Sequence, residues 1–246
     1  MNSCKQPVPT LGYTAITLTT FLALQSLIVV VHEFTHSTMA WTLGDMKTPL
    51  GIVWGNPLTM TGWDEGVEYE HLFAQGRNIQ AAIIGFCPLV MHSIVVTIGI
   101  LLLRGQWLYQ KRWGFNAVYW LVVGNLMELI AYFWMRSFSG HGDVGLFCRG
   151  TGISPWWAFI IGSTLLAWVI LLFYRTVLPR LQALFAPDNP PTQWAILILT
   201  SFILFLWGSG IRVMVYVTGP QWMFGILGVL AFLLTVACFH PKRRQA

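Results

Sequence analysis

The chain has 246 residues, of which 56% are hydrophobic and only 9% are charged, and its mean hydropathy is +0.64. This composition excludes an ordinary soluble domain and predicts an all-α polytopic membrane protein. The net charge of +5 is not the signature of a nucleic-acid-binding surface, because the basic residues cluster at the ends of apolar segments. We therefore expect a lipid bilayer around the chain and no nucleic-acid partner.

Six apolar stretches are long enough to cross a bilayer, which takes about 20 residues of helix. They cover residues 11–43, 78–103, 114–135, 155–174, 194–217 and 221–239. A proline-rich break at residues 186–191 separates the fourth stretch from the fifth. The sequence therefore predicts a single integral membrane domain over residues 1–246, with about six transmembrane helices.

The first span carries a complete HExxH motif, the run HEFTH at residues 32–36. Side chains four residues apart share one face of a helix, so His32 and His36 can bind one zinc ion. Glu33, the next residue after His32, can reach a zinc-bound water as general base. Residues 21–31 carry no charge, and each ionisable group inside a membrane costs about 2.5–3.5 kcal/mol on insertion scales. One bound zinc ion per chain would offset that cost, which favours a metal site over a purely structural polar cluster.

The connection between the first two spans, residues 44–77, is too long for a plain linker. Its segments 50–54 and 58–61 contain Thr, Val and aromatic residues, and the run GNP separates them. This pattern is compatible with a small β-hairpin and equally with an irregular surface loop. The acidic residues that follow are most simply a solvated face of the protein: Asp64, Glu65, Glu68 and Glu70.

A catalytic zinc site has three protein ligands and an open fourth position, so a third ligand is needed. Asp143 is one candidate, in the run GHGDVG at residues 140–145, where glycines let the backbone approach closely. Glu128 is the other, inside the third span and at a depth similar to that of His36 in the first. Otherwise Asp143 would be a turn or helix-cap residue, and Glu128 would pair with Arg136 or bridge two helices.

Other polar residues in or near the spans have simpler explanations. We expect His92, in the second span, to form a hydrogen bond between helices rather than to bind a metal. His141 could tune Asp143 or replace it as a ligand. Arg212, after the glycines of the fifth span, indicates a break in that helix or a charge that extends to the nearer membrane surface.

The distribution of Lys and Arg predicts the orientation of the chain in the membrane. With six spans, both termini lie on the same side as the second and fourth connections. That side carries nine basic residues: Lys5, Arg104, Lys111, Arg112, Arg175, Arg180, Lys242, Arg243 and Arg244. The other side carries four: Lys47, Arg77, Arg136 and Arg149. Because basic connections stay in the cytoplasm, both termini are expected to be cytoplasmic.

The chain resembles the site-2 protease family of intramembrane zinc metalloproteases. The resemblance covers about residues 21–145 and rests on HEFTH within a span, a patterned connection after it, and two spans that lead to an aspartate beside glycines. It implies that His32, His36 and Asp143 are zinc ligands. We therefore favour Asp143 over Glu128 as the third ligand. The resemblance also implies that Glu33 is the general base and that Asn125 is a polar group near the substrate carbonyl.

The resemblance implies a metalloprotease core at about residues 11–154, with additional transmembrane helices at about 155–239. The expected activity is hydrolysis of membrane-protein or membrane-associated peptide substrates by a zinc-activated water. One alternative is a non-catalytic membrane scaffold or transporter that retains the polar cluster, although the intact Glu33 argues against it. A membrane di-iron oxygenase is less favoured, because six histidines with one paired motif are too few for such a site.

Overall fold

A computed structural model of the protein describes residues 8–56, 62–211 and 223–241. Within these ranges the chain forms α-helices and no β-strand. The helices are α1 (Thr10–Thr42), α2 (Tyr69–Ala74), α3 (Asn78–Arg104), α4 (Gln106–Tyr109), α5 (Arg112–Ile130), α6 (Asp143–Thr151), α7 (Pro155–Thr176), α8 (Leu178–Phe185), α9 (Pro190–Ser201) and α10 (Met223–Cys238). Two π-helical segments, Ala131–Met135 and Phe202–Ile211, continue α5 and α9.

Five helical stretches of the described residues are long and apolar enough to cross a membrane, which confirms the prediction of an all-α polytopic membrane protein. They are Thr10–Thr42, Asn78–Arg104, Arg112–Trp134, Pro155–Phe185 and Pro190–Gly208. The predicted sixth span corresponds to α10, which has 16 described residues. Arg212 and the rest of the predicted fifth span, residues 212–217, lie outside the described residues.

Helix α5 lies at the centre of the bundle. In the span Arg112–Trp134, 72% of the apolar window is buried, against 22% in Pro155–Phe185. Small residues let the neighbouring helices come close, as is common between membrane helices. A Cβ at Gly124 of α5 would lie 3.2 Å from Gln25 Oε1 of α1, and one at Gly85 of α3 would lie 2.9 Å from Leu146 Cβ of α6. Helices α1, α3, α5 and α6 therefore form one closely packed group.

The connection from residue 44 to residue 77 folds back against the end of α1. An ion pair between Asp45 and Arg77 closes its base, and Leu72 of α2 packs in a small apolar cluster with Ala40 and Ile84. Of the two predicted alternatives, a β-hairpin or an irregular loop, the described residues show an antiparallel bridge between Val53 and Asp64 but no β-strand. The second predicted piece, residues 58–61, lies in the segment 57–61 that is not described.

Candidate metal centre

His32 and His36 lie one turn apart on the buried face of α1. Their exposed fractions are 4% and 1%, and their Nε2 atoms are 3.2 Å apart. This proximity is what the i, i+4 spacing predicts for two histidines that share a helix face. The pair therefore presents two ring nitrogens to one point inside the bundle.

Asp143 completes a group of three. It is the first residue of α6 and follows Gly142, whose φ of +97° allows the chain to turn back into the bundle. Its Oδ2 lies 3.3 Å from Nε2 of His32, and its Oδ1 lies 3.6 Å from Nε2 of His36. These three buried residues form a group that could hold a metal ion. The flanking glycines thus act as the sequence predicted, by letting the loop return toward α1.

The spacing of the three donor atoms fits a small tetrahedral cation. With Zn–N and Zn–O bonds of about 2.0–2.2 Å, tetrahedral ligands lie roughly 3.3–3.5 Å apart. The three separations of 3.2, 3.3 and 3.6 Å lie around that value. Asp143 Oδ2 is buried and has no hydrogen-bond donor among the described residues, so the site has a free acceptor where a cation would bind. The residues present therefore fit a metal ion.

The second nitrogen of His36 is held by the backbone. Its Nδ1 lies 2.8 Å from the carbonyl oxygen of Ile84 on α3. Because a carbonyl can only accept, Nδ1 carries the hydrogen and donates it, which leaves the lone pair on Nε2. A metal-binding histidine is commonly oriented in this way by a backbone carbonyl.

The charge of Asp143 suits the same role. Burial alone would raise the pKa of its carboxyl group, but the neighbouring His32, His36 and Arg136 outweigh burial, and the net pKa lies below the usual range. The carboxylate is therefore ionised at neutral pH. The pKa of the Tyr69 phenol, at the start of α2, is shifted in the opposite direction: burial raises it most, and the nearby carboxylate of Glu65 raises it further.

A cavity of about 610 Å³ opens on the three ligand candidates and on Glu33. Six of the nine acidic residues of the chain line it. They are Glu33, Asp64, Glu65, Glu68, Glu70 and Asp143. The acidic run of the connection, expected to be a solvated face, is therefore the wall and rim of this cavity. Asp64, Glu68 and Glu70 are exposed there, while Glu65 is half-buried.

Glu65 was expected on a solvated face, but it lies in the wall of this cavity beside the HEFTH motif. Carboxylate oxygens of Glu33 and Glu65 and a ring nitrogen of His36 all lie within 4.8 Å of one another. The high density of acidic residues in segment 64–70, in a chain with few acids elsewhere, was the feature of the sequence that could have indicated this wall. The packing of that segment against α1 depends on tertiary contacts that sequence spacing does not reveal.

Glu128 and Asn125 lie outside the group of three converging donors. Glu128 accepts a hydrogen bond of 2.6 Å from Gln25 Nε2, so it forms a polar bridge between α5 and α1. Asn125 accepts from His92 Nδ1 at 2.7 Å and donates to the carbonyl of Leu121 at 2.8 Å. Neither residue lines the cavity described above. The expectation that His92 forms a hydrogen bond between helices is confirmed, since it joins α3 to α5.

Three further side chains complete the surroundings of the donors. The π-helical segment after α5 carries Tyr132, whose hydroxyl lies 3.2 Å from His32 Nε2 and whose ring stacks on that imidazole. His141 and Arg136 line the cavity, and the Arg136 guanidinium lies over the Tyr132 ring.

No family model, no curated protein and no solved structure matches the chain. The case for a metal centre is carried by the donor set, its burial and its spacing.

Proposed function

We propose that the protein is an intramembrane zinc metalloprotease that hydrolyses peptide bonds of membrane-protein or membrane-associated substrates. The observation that carries the proposal is the convergence of His32, His36 and Asp143, with Glu33 beside them, at a cavity of about 610 Å³. The two histidines and Glu33 lie on α1, a helix long and apolar enough to span a bilayer. Two neutral imidazoles and one carboxylate with an open side are a ligand set typical of catalytic zinc. The proposal places one zinc ion on each chain.

The chemistry divides between the ion and the side chains around it. Zinc supplies a Lewis acid and lowers the pKa of a bound water to near neutrality. Glu33, which lines the cavity next to His32, accepts the proton of the attacking water and returns it to the leaving amine. Tyr132 and Arg136 line the same cavity, and their hydroxyl and guanidinium groups would stabilise the negative charge that develops on the scissile carbonyl oxygen.

The substrate segment must be extended when it reaches this site. A helix inside a membrane hides its carbonyl groups in hydrogen bonds, so a helical substrate cannot be attacked. The cavity is lined by residues of the last third of α1, by the connection before α3, and by the segment from the end of the third span to the start of α6. A substrate helix would therefore enter it from the side of the membrane on which α1 ends. A helix-breaking segment in the substrate is therefore part of the proposal.

The proposed topology is multi-pass with both termini in the cytoplasm. The charge asymmetry of the connections supports this orientation. In that case the HEFTH motif, which precedes the end of α1 by about 9 Å of helix, lies nearer the non-cytoplasmic face. The same face would then receive α6 and the connection of residues 44–77.

The test begins with detergent-purified protein prepared without chelators, whose metal content is measured by elemental mass spectrometry. We expect about one zinc per chain in the wild type and in Glu33→Gln, and none in His36→Ala. Cleavage is then followed in proteoliposomes with a single-span reporter whose helix carries a Gly-Pro break. Glu33→Gln should lower the rate by about 10²–10⁴-fold, the range expected for loss of a general base.

Three results would contradict the proposal in different ways. Equal cleavage by wild type and Glu33→Gln would exclude the assigned general base. Zinc binding without cleavage of any reporter would favour a scaffold or transporter that retains the metal cluster. Iron in place of zinc would favour an oxygenase.

A further inference from the structure

A second line of polar side chains runs from the far edge of the His32 ring across three helices. His32 Nδ1 lies 2.9 Å from His92 Nε2 on α3, and His92 Nδ1 lies 2.7 Å from Asn125 Oδ1 on α5. The three side chains have exposed fractions of 4%, 0% and 2%. Polar groups so deeply buried in a membrane span carry a cost unless each has a partner. This line, from Asn125 through His92 to His32, is named the His92 relay below.

The direction of every hydrogen bond in the His92 relay follows from the hydrogen bond that Asn125 makes at its inner end. Asn125 Nδ2 donates to the carbonyl of Leu121, an oxygen that can only accept. The amide oxygen of Asn125 therefore faces His92, and His92 Nδ1 must be the nitrogen that carries the hydrogen. Its Nε2 then has the lone pair and accepts from Nδ1 of His32. The hydrogen of a neutral His32 is thus held on Nδ1, and its lone pair lies on Nε2, toward the metal centre.

We propose that His92 and Asn125 are positioning residues that fix His32 in the tautomer and orientation needed to bind the metal ion. The inference rests on the metal-binding part of the proposed function. Without an acceptor at Nδ1, the neutral ring can place its hydrogen on Nε2 and lose its ability to bind the ion. The two metal-binding histidines are then oriented from outside by different devices, the Ile84 carbonyl for His36 and the His92 relay for His32.

A tautomer-fixing role differs from simple packing in what it predicts. His92→Phe keeps an aromatic ring of similar size in the same space but supplies no acceptor. His92→Gln places an amide oxygen near the position of the imidazole Nε2 and so can still accept from His32. If packing alone matters, the phenylalanine variant should bind metal at least as well as the glutamine variant. If the hydrogen bond matters, the order is reversed.

The experiment measures the zinc dissociation constant of each detergent-purified variant by competition with a chromophoric chelator. We expect His92→Phe to weaken zinc binding about 10–100-fold, as loss of an outer partner of a metal ligand typically does. His92→Gln should recover most of that loss. Asn125→Leu should weaken binding less, and in a His92→Phe background it should add little, because the two residues act through one chain of contacts.

Two further measurements separate this role from a general loss of structure. The visible absorption of Co²⁺-loaded protein reports the donor set, and we expect it to change in His92→Phe and to return in His92→Gln. Ser93→Ala is the matched control, since Ser93 is the next residue on α3 and its hydroxyl bonds to Leu89 of its own helix. It should leave both zinc affinity and the Co²⁺ spectrum unchanged.

The outcomes distinguish this inference from the proposed function. A wild-type protein that binds no zinc would overturn both. A wild type that binds zinc, with unchanged affinity and spectrum in His92→Phe, would overturn the His92 relay and leave the metal centre intact. If His92→Phe does not fold, as judged by gel filtration and thermal unfolding, Asn125→Leu decides the question, and unchanged affinity there overturns the inference.

Discussion

Two of the places where the protein buries polar side chains differ in whether those side chains satisfy one another. On α7, α9 and α10, the hydroxyl of Tyr174 lies 2.8 Å from that of Ser201, and Thr235 donates to Ser201 at 3.1 Å. We call these three residues the hydroxyl cluster. Hydroxyl groups both donate and accept, so every side chain of the hydroxyl cluster has a partner.

At the metal centre the side chains are also buried, but the atoms that converge there are acceptors rather than donor–acceptor pairs. Two imidazole nitrogens and the Asp143 carboxylate, all of them electron-rich, converge within 3.6 Å, and Asp143 Oδ2 has no donor among the described residues. A cavity opens at this point, whereas the hydroxyl cluster lines none of the cavities described above. Buried polar side chains alone are common between membrane helices, where they stabilise helix packing by hydrogen bonds. Convergence of acceptors at a cavity is what distinguishes the candidate functional site.

The largest expected effect separates the two acidic candidates for the third ligand. Asp143→Asn keeps the shape of the side chain but removes its charge, so metal affinity should fall by more than the ~10–100-fold seen for outer-partner losses. Glu128→Gln is the matched change in the polar bridge to Gln25 and should leave zinc content at the wild-type level. Elemental analysis and chelator competition measure both. Zinc loss in Glu128→Gln together with retention in Asp143→Asn would reverse the assignment.

A smaller effect is expected where α6 rests on α3. A Cβ at Gly85 would lie 2.9 Å from Leu146 Cβ and 3.4 Å from the Asp143 carbonyl oxygen, so Gly85→Ala should push the start of α6 away from α1. Overpacking of this kind costs about 1–3 kcal/mol. We expect zinc affinity to fall by roughly tenfold, which corresponds to about 1.4 kcal/mol.

Gly99→Ala is the control for this substitution. It lies on the same helix, and its Cβ would collide with Val122 of α5, far along the chain from Asp143. It should destabilise the bundle in thermal unfolding without a specific loss of zinc affinity. Equal losses of zinc affinity in both variants would mean that the metal centre merely follows global stability.

The sequence sufficed for the parts of the site that are local. Helix spacing placed His32, Glu33 and His36 together, because a turn of helix fixes their separation regardless of the rest of the chain. Counting spans predicted that both Glu128 and Asp143 lie toward the end of the bundle that carries HEFTH. It could not separate them, since the difference lies in how Gly142 turns the chain before α6 and in how α5 is rotated about its axis.

The same limit applies to the surroundings of the donors. His92 was expected to bond between helices, but its partners depend on the rotation of α3 and α5, which an apolar pattern does not specify. The cavity wall around Glu65 depends on the Asp45–Arg77 ion pair and on Leu72 packing against α1 and α3. These contacts join residues that are far apart in the sequence, and no local propensity encodes them.

The smallest expected effect lies in the hydroxyl cluster, where a substitution should lower stability slightly and leave zinc affinity unchanged. Tyr174→Phe removes one hydroxyl and leaves Ser201 bonded to Thr235, so no buried group loses its last partner. Hydrogen bonds between membrane helices contribute about 0.6 kcal/mol on average, and unfolding in a denaturing-detergent titration should show a loss of that order. Zinc affinity should not change, because no contact links this cluster to His32, His36 or Asp143 among the described residues. A parallel drop in zinc affinity would instead mean that the two clusters are coupled through α9, and that buried polarity in this bundle acts as one network.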